Sequence, residues 1–504
     1  MIQTHSKRQK WEEALFCVAV FAAMLVFFTV LHPIPIMDED DVIYTVLVRK
    51  AIPLPGSWNP SRVMPEVLMS LVGNLSGLAT ALGFGRFIDC QVFILGAFFS
   101  AFITVYVFAF FRLLEKRFAS GRFQAVCLAV LFLMLHFLIF RTELSRNNFM
   151  FHTYDACCVF YYTVPALLGC TLVMHFMAAA GETPVLNGKH LIRETVLILA
   201  LYFELFSNLF GSIILAAYAG YRVLKGLKTA RAGGAKNAFL RENGFWVGIL
   251  ALWILAAVLE LTGGRAAGAR GQAAEGSLGV ATKFGQAVAL FGKTIWNSNL
   301  VFKLMIAGVA SLTFLLIVCS SEKTRNRQVL STLGETAVWG CATAFAVLLL
   351  CAGAEPLYAS RPEAIFPIVF VAFLLLVLGI NYILDRFPFL SRLLPILLIA
   401  VYSFTNTRYL TFQDSNPLLL DGHVAVAIEN EIYESIIEAG KAGETEIWVD
   451  VIHSSEEGNW PHDGKIGDPI AKFFLKFGIV DHEMRVHVHA SDEMNERYLV
   501  PVPE

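Results

Sequence analysis

The chain has 504 residues, of which 56% are hydrophobic and only 16% charged. A water-soluble protein of this length carries roughly a quarter charged residues, so the composition excludes an ordinary soluble fold and points to a lipid-embedded one. The formal net charge of -2 averages two environments, because the charged residues sit between long apolar runs and in the C-terminal tail.

Taken in chain order, Lys7, Arg8 and Lys10 precede an apolar run from Ala14 to Leu31. No small-residue cleavage site follows, so the run reads as a retained first span. A crossing of the ~30 Å hydrocarbon core needs about 20 apolar residues. That criterion places nine spans near 14–31, 87–112, 123–140, 158–180, 243–261, 299–320, 335–353, 364–384 and 391–405. Val63 to Phe84 is rich in Gly and Ser and reads as an interfacial helix. The apolar stretch 195–224 would make about 45 Å of helix, too long for one comfortable crossing. It breaks at Ser207-Asn208 and both flanks are basic, so it reads as a short helical hairpin that enters and leaves on one side. With the hairpin, the basic loops around Lys7, Lys116/Arg117/Arg122, Arg222–Arg241 and Lys323–Arg327 share one face, which the positive-inside rule makes cytoplasmic. The other face receives 32–86, 141–157, 262–298, 354–363 and the tail. Within 262–298, Gly263–Gly276 is a Gly/Ala/Arg stretch that reads as a flexible loop.

The tail from 406 to 504 holds 19 acidic and 7 basic residues, which suits a water-soluble unit and argues against nucleic acid or anionic lipid as its partner. Helical period over Val424–Ala439 and Asp468–Phe477, and strand patterns at Glu446–Ile452, Arg485–His489 and Tyr498–Val502, predict a small α/β unit. The predicted fold class is therefore an α-helical polytopic membrane protein of nine spans plus a hairpin (1–405), followed by a small exoplasmic α/β domain (406–504). The nine cysteines all lie in or beside apolar segments, so they form neither a disulfide framework nor a zinc site. His487 and His489 alternate and share one strand face, with no third metal ligand in the pattern.

The densest chemical signal is Asp38-Glu39-Asp40-Asp41, just beyond the first span on the predicted exoplasmic side. Adjacent carboxylates raise one another's pKa values and attract a cation or a basic group. A general base for a lipid-linked substrate would also sit at this depth, and an acidic cap orienting the first span is the competing reading. Asp38 and Asp40, two apart, are the candidate bases. Asp41 reads as the first turn of a helix over Val42–Arg49. The same loop adds Arg62 and Glu66, and other loops on that face add Arg141, Arg146, His152, Asp155 and Arg361. Arginine on the outer face runs against the usual bias, and bidentate binding of a lipid phosphate accounts for it. Glu204 is the one carboxylate well inside an apolar segment, three residues before the Ser207-Asn208 break, where a charged group faces a cavity or a partner.

This combination resembles the GT-C class of membrane glycosyltransferases, in particular the bacterial O-antigen glucosyltransferase type. The likeness rests on the acidic run Asp38-Glu39-Asp40-Asp41 after the first span, on Arg62 further along the loop, and on the Asn430–Val451 and Asp468–Ile479 segments of the tail. Many members show a simple acidic pair where this chain has four carboxylates in a row. The resemblance implies an inverting transferase at the outer face of a bacterial inner membrane, working on a polyprenyl-phosphate-linked sugar donor and a glycan or lipid acceptor. Some members need a divalent cation such as Mg or Mn. In this reading Asp38 or Asp40 is catalytic, Glu39, Asp41, Arg62, Glu66, Arg141, Arg146, His152, Glu204 and Arg361 bind substrate, and membrane lipid is the surrounding partner. A transporter or flippase of a lipid-linked saccharide, or a polysaccharide polymerase, is the alternative. Transport needs a polar path through several spans, whereas the charges here gather in loops.

The topology has a direct check. With the hairpin, a cysteine placed at Ser455 is labelled from outside sealed cells by an impermeant maleimide and one at Ser331 is spared. Labelling of both, or the reverse pattern, contradicts it.

Overall fold

The computed structural model describes residues 7–47, 51–118, 120–142, 147–179, 188–233, 236–273, 279–319, 323–405, 412–454 and 467–502. Arg146 and Ser455 lie outside the described residues. The chain is a bundle of apolar helices: α1 (Lys7–Val26, carried to Leu31 by a π-helical turn), α2 (Glu39–Val46), α3 (Val63–Ala81), α4 (Phe87–Arg117), α5 (Arg122–Leu138), α6 (Ala156–Ala178), α7 (Leu191–Leu205), α8 (Leu209–Gly233), α9 (Lys236–Thr262), α10 (Gly264–Ala273), α11 (Val280–Trp296), α12 (Leu300–Cys319), α13 (Lys323–Gly353), α14 (Pro362–Arg386) and α15 (Leu394–Thr405). The tail follows as α16 (Gly422–Ala442), β1 (Glu446–Ile452), α17 (Gly467–Lys476), β2 (Arg485–Ser491) and α18 (Asp492–Tyr498). Nine of the described helices are long and apolar enough to cross a membrane, and the protein is a multi-pass membrane protein. That set includes α3 and leaves out α5, which has 17 residues.

Side-chain pairs fix the two ends of the bundle. Gly96 of α4 packs on Phe28 and Thr29 near the end of α1, while Arg112 and Arg122 both reach Glu13 near its start, at 2.9 and 3.3 Å. α1 and α4 are therefore antiparallel. Arg193 at the start of α7 neighbours Lys116 at the end of α4, and Lys225 of α8 pairs with Glu335 of α13 at 2.7 Å. These basic residues gather at the end where α1 begins. At the opposite end lie the α1–α2 connection and the elbow between α7 and α8.

That elbow is a bend of 120° at a break falling on Ser207-Asn208, as the sequence predicts. It seats closely because Gly211 meets the backbone of Pro165 and Ala166, where a Cβ would lie 2.8 Å from the Ala166 nitrogen. Phe206 O accepts from Val63 N at 3.0 Å, tying the elbow to the start of α3. Along α3, Ser70 donates to Tyr44 O of α2 at 3.0 Å and Gly73 abuts Thr45. At its far end Gly77 meets Phe477 of the tail. Both ends of α3 thus stay at the elbow end of the bundle, the geometry of an interfacial helix despite a composition that permits crossing.

Two stretches differ from the sequence reading. Gly263–Gly276, expected as a flexible loop, begins with helix α10, because Gly264 N and Arg265 N bond to Ser57 O and Trp58 O at 3.0 and 3.2 Å and anchor it. Tyr498–Val502, expected as a strand, is instead the last residue of helix α18 and the irregular chain after it, the helix start being capped by Ser491 accepting from Met494 N. In the tail, β1 and β2 are parallel with Trp448 opposite His487. Phe87 packs among Tyr433, Phe473 and Phe474 with ring centroids 5.3–5.6 Å apart, and Asn430 donates to Asp89 at 2.9 Å. These contacts seat α16 and α17 on the elbow end of the bundle.

Candidate functional site

The α2 and α6 N-termini, far apart in sequence, are joined by one carboxylate. Asp41 is fully buried. Its Oδ2 accepts from Met37 N at 3.0 Å, Asp38 N at 3.2 Å and Ala156 N at 3.3 Å, and its Oδ1 accepts from Cys157 N at 2.5 Å. An acid at a helix start complements the dipole and the unpaired N–H groups there. Asp38 caps α2 by accepting from Asp40 N at 2.9 Å, and Asp155 caps α6 by accepting from Cys158 N at 2.6 Å. The clamp brings these two caps side by side.

They open on a cavity of about 210 Å³. It is lined by the acids Asp38, Asp40 and Asp155, the arginines Arg62, Arg265 and Arg361, and Tyr154, Tyr161, Tyr162, Tyr358, Cys157 and Cys158. Arg62 Nε donates to Glu260 Oε1 at 3.2 Å, and Ser61 donates to the same carboxylate at 3.0 Å. Arg361 Nε donates to Glu363 at 2.6 Å and its Nη2 lies 3.4 Å from Cys158 Sγ. A guanidinium has five N–H donors, so each arginine keeps donors beyond those contacts. Arg62 stands over the Tyr161 ring at 4.8 Å and Arg361 over Tyr358 at 5.0 Å and Tyr162 at 5.6 Å. A π-helical turn at Val159–Thr163 sits inside α6, a local rearrangement common at functional sites, and it carries both tyrosines.

Burial, reinforced by Asp155, pushes the Asp38 carboxyl up to about 7, against the opposing Asp40 N–H. Burial likewise raises Asp155 to about 6, opposed by the hydrogen bonds from Cys158 and by Arg361. Burial works against both guanidinium cations, but Glu260 beside Arg62 and Glu363 beside Arg361 outweigh it and hold them above the ordinary arginine value. The cavity therefore combines fixed cations with carboxyls that titrate near neutrality.

Asp38 and Asp40 of the acidic run, Arg62 further along the same loop and the distant Arg361 meet in this cavity. Asp38 is the cap of α2 and Asp40 lies in its first turn. Glu39 is half-buried off the cavity wall, Asp41 lies behind it as the clamp, and Glu66 is buried in the first turn of α3. Arg141 is buried with its guanidinium over the Phe412 ring at 4.4 Å, away from the cavity lining. His152 is buried near Glu363 and Asp414, with burial lowering its pKa. Glu204 is fully enclosed at the elbow, where its Oε1 would lie 2.4 Å from a Cβ on Gly169, and it is not a lining residue. Asp155, Tyr161, Tyr162, Arg265, Glu260 and Glu363 were given no site role from sequence. The Tyr pair at the head of an apolar run, and an Asp just before it in a capping position, are the signals that mark three of them.

Asp41, Asp155 and Cys157 place ligand atoms within 4.8 Å of one another, the one such trio among the described residues. The trio fits a hard cation such as Mg or Mn poorly, because four backbone N–H groups already occupy the Asp41 oxygens and a thiol is a soft ligand. No family model, curated protein or solved structure matches the chain.

The raised carboxyls carry a stability consequence. A carboxyl whose pKa is higher in the fold than in the unfolded chain stabilises fully below about pH 4, and that contribution is lost as pH rises through about 6 to 7. Asp38→Asn stays neutral and still caps α2. It should raise the apparent Tm in detergent at pH 8, by the equivalent of about 1–3 kcal/mol, and change it little at pH 4. An equal Tm change at both pH values would mean that Asp38 is not held protonated by its surroundings.

Proposed function

We propose that this protein is an inverting membrane glycosyltransferase of the GT-C kind, transferring a sugar from a polyprenyl-phosphate donor to a cell-envelope glycan or lipid acceptor. The observation that carries the reading is that Asp38 and two anchored arginines, Arg62 and Arg361, line one cavity at the membrane-domain end where the tail docks. The basic residues at the other end support placing that end in the cytoplasm, and hence the cavity and the tail on the outer face of a bacterial inner membrane. The tail from 406 to 504 is then a small exoplasmic α/β domain.

In this reaction the acceptor hydroxyl gives its proton to Asp38 as its oxygen attacks the anomeric carbon. The carbon–oxygen bond to the donor phosphate breaks on the opposite side, so the configuration inverts. The electron pair leaves with the polyprenyl phosphate, and Arg62 and Arg361 take up the added charge through fixed N–H donors. A base titrating near pH 7 is matched to that task, and Asp155 beside Asp38 is part of what raises it. Asp40, which also lines the cavity, is the second candidate base. The tyrosines offer flat faces for a sugar ring or an isoprenyl unit. No step runs through a divalent cation. A transport path would need connected polar groups through the bundle; its buried side chains are mostly apolar, such as Phe99, Ile103, Val107, Phe110, Phe132, Val173 and Phe370, with scattered polar ones such as Ser100, Thr104 and the Tyr106–His136 pair among them.

The test is sugar transfer from a polyprenyl-phosphate donor by purified, reconstituted protein. Asp38→Asn should lower kcat by about 10² to 10⁴ with donor affinity nearly unchanged. Wild-type kcat/KM should rise with pH through about 7 as Asp38 loses its proton. Arg62→Lys and Arg361→Lys should each slow transfer, because lysine lacks the two-pronged contact. Near-wild-type turnover by Asp38→Asn, Asp40→Asn and the double variant would leave the acidic run as a cap alone.

A further inference from the structure

Away from the cavity, the tail presents one face that the proposed chemistry does not use. In the parallel pair β1–β2, Glu446, Trp448 and Asp450 alternate outward along β1, opposite Arg485, His487 and His489 of β2. Apolar residues on the other side of β1, Val449 and Val451, are buried. Trp448 keeps 67% of its surface exposed, yet its ring is held: the His487 imidazole stacks on it at 4.7 Å and 22°. His487 Nε2 meets Glu446 at 2.8 Å and His489 Nδ1 meets Asp450 at 2.9 Å. As carboxylates only accept, the imidazole N–H donates in both pairs.

The geometry points to this face as a saccharide-binding platform, with Trp448 as its stacking surface. Three features select that ligand. A flat ring fixed by a neighbour matches the C–H face of a pyranose and loses little freedom on binding. Carboxylates and imidazoles stand on either side of it within one strand spacing, and a carboxylate oxygen accepts from a sugar hydroxyl while keeping its imidazole bond. The two carboxylates are already hydrogen-bonded to imidazoles and a single arginine, Arg485, stands beside them, so the face is not a dense patch of one sign of charge for an ionic ligand. Its size agrees, since two strands about 5 Å apart and about 20 Å long suit two to four sugar rings. A stable protein partner would bury about 800 Å² on each side, far more than this strip presents. As a docking point for the acceptor glycan the platform rests on the transferase reading; saccharide binding by itself does not.

The experiment measures binding of fluorescently labelled neutral tri- and tetrasaccharides to the full-length protein in nanodiscs, with a mononucleotide as the comparison ligand. Wild-type protein should bind at least one oligosaccharide of the panel and show no preference for the nucleotide. Trp448→Ala should weaken that binding about tenfold or more, and Trp448→Phe, which keeps a flat ring, should retain most of it. Because Trp448 is exposed, Trp448→Ala should elute and melt as wild type, and it should leave transfer to a short, minimal acceptor unchanged. No oligosaccharide binding by wild type, equal binding by Trp448→Ala, or preferential nucleotide binding would each overturn the platform. Loss of transfer in Asp38→Asn with Trp448 binding intact, or the converse, keeps the fates of the two proposals separate.

Discussion

The site depends on the Asp41 carboxylate. Four backbone N–H groups from two chain segments converge on its two oxygens, tying the turn before α2 to the first turn of α6. Removing such an acceptor would strand buried donors at a cost of about 1–3 kcal/mol apiece. The clamp sets the backbone so exactly opposed needs can coexist nearby: Asp38 and Asp155 are each used as a helix cap, and each still presents its carboxyl to the cavity. Without it the hydrogen bonds from Ala156 N and Cys157 N that join the start of α6 to α2 would be lost.

Around that clamp Arg62 and Arg361 are each paired with a carboxylate. Arg62 leans on Glu260 from the end of α9 and Arg361 on Glu363 from the first turn of α14. Each cation is thus held by a helix end of its own, and the tyrosines of α6 fill the space between them. Unpaired buried charges are costly, so this pairing of Arg62 and Arg361 helps three arginines and three acids share one small cavity. It also fixes the guanidinium planes before a ligand arrives, which is what an anion-stabilising site requires.

Much of this was legible in the sequence because lipid imposes strong rules. The long apolar runs, the break at Ser207-Asn208 and the alternation at Glu446–Ile452 follow from solvent and from backbone periodicity, and the helices and strand lie where those rules put them. Asp38, Asp40, Arg62 and Arg361 stood out because charge is conspicuous in a chain this apolar. The parts that were not legible depend on contacts between distant segments. Asp41 as a clamp needs the backbone of Ala156 and Cys157, and α10 needs the carbonyls of Ser57 and Trp58. The pairing of Glu260 with Arg62 likewise joins residues far apart in the chain. Arg141 and Glu204 carry the same outward signal as the cavity residues, yet packing turns one toward Phe412 and encloses the other at the elbow.

In the proposed transferase, Arg62 and Arg361 hold one phosphate beside Asp38, and a cryo-EM structure of the protein with a non-transferable polyprenyl-phosphate analogue would show it. Phosphate oxygens should lie within hydrogen-bonding distance, about 2.7–3.2 Å, of both guanidinium groups, with the Asp38 carboxyl facing the position of the anomeric carbon. A phosphate bound elsewhere on the membrane domain, or held by neither arginine, would contradict it.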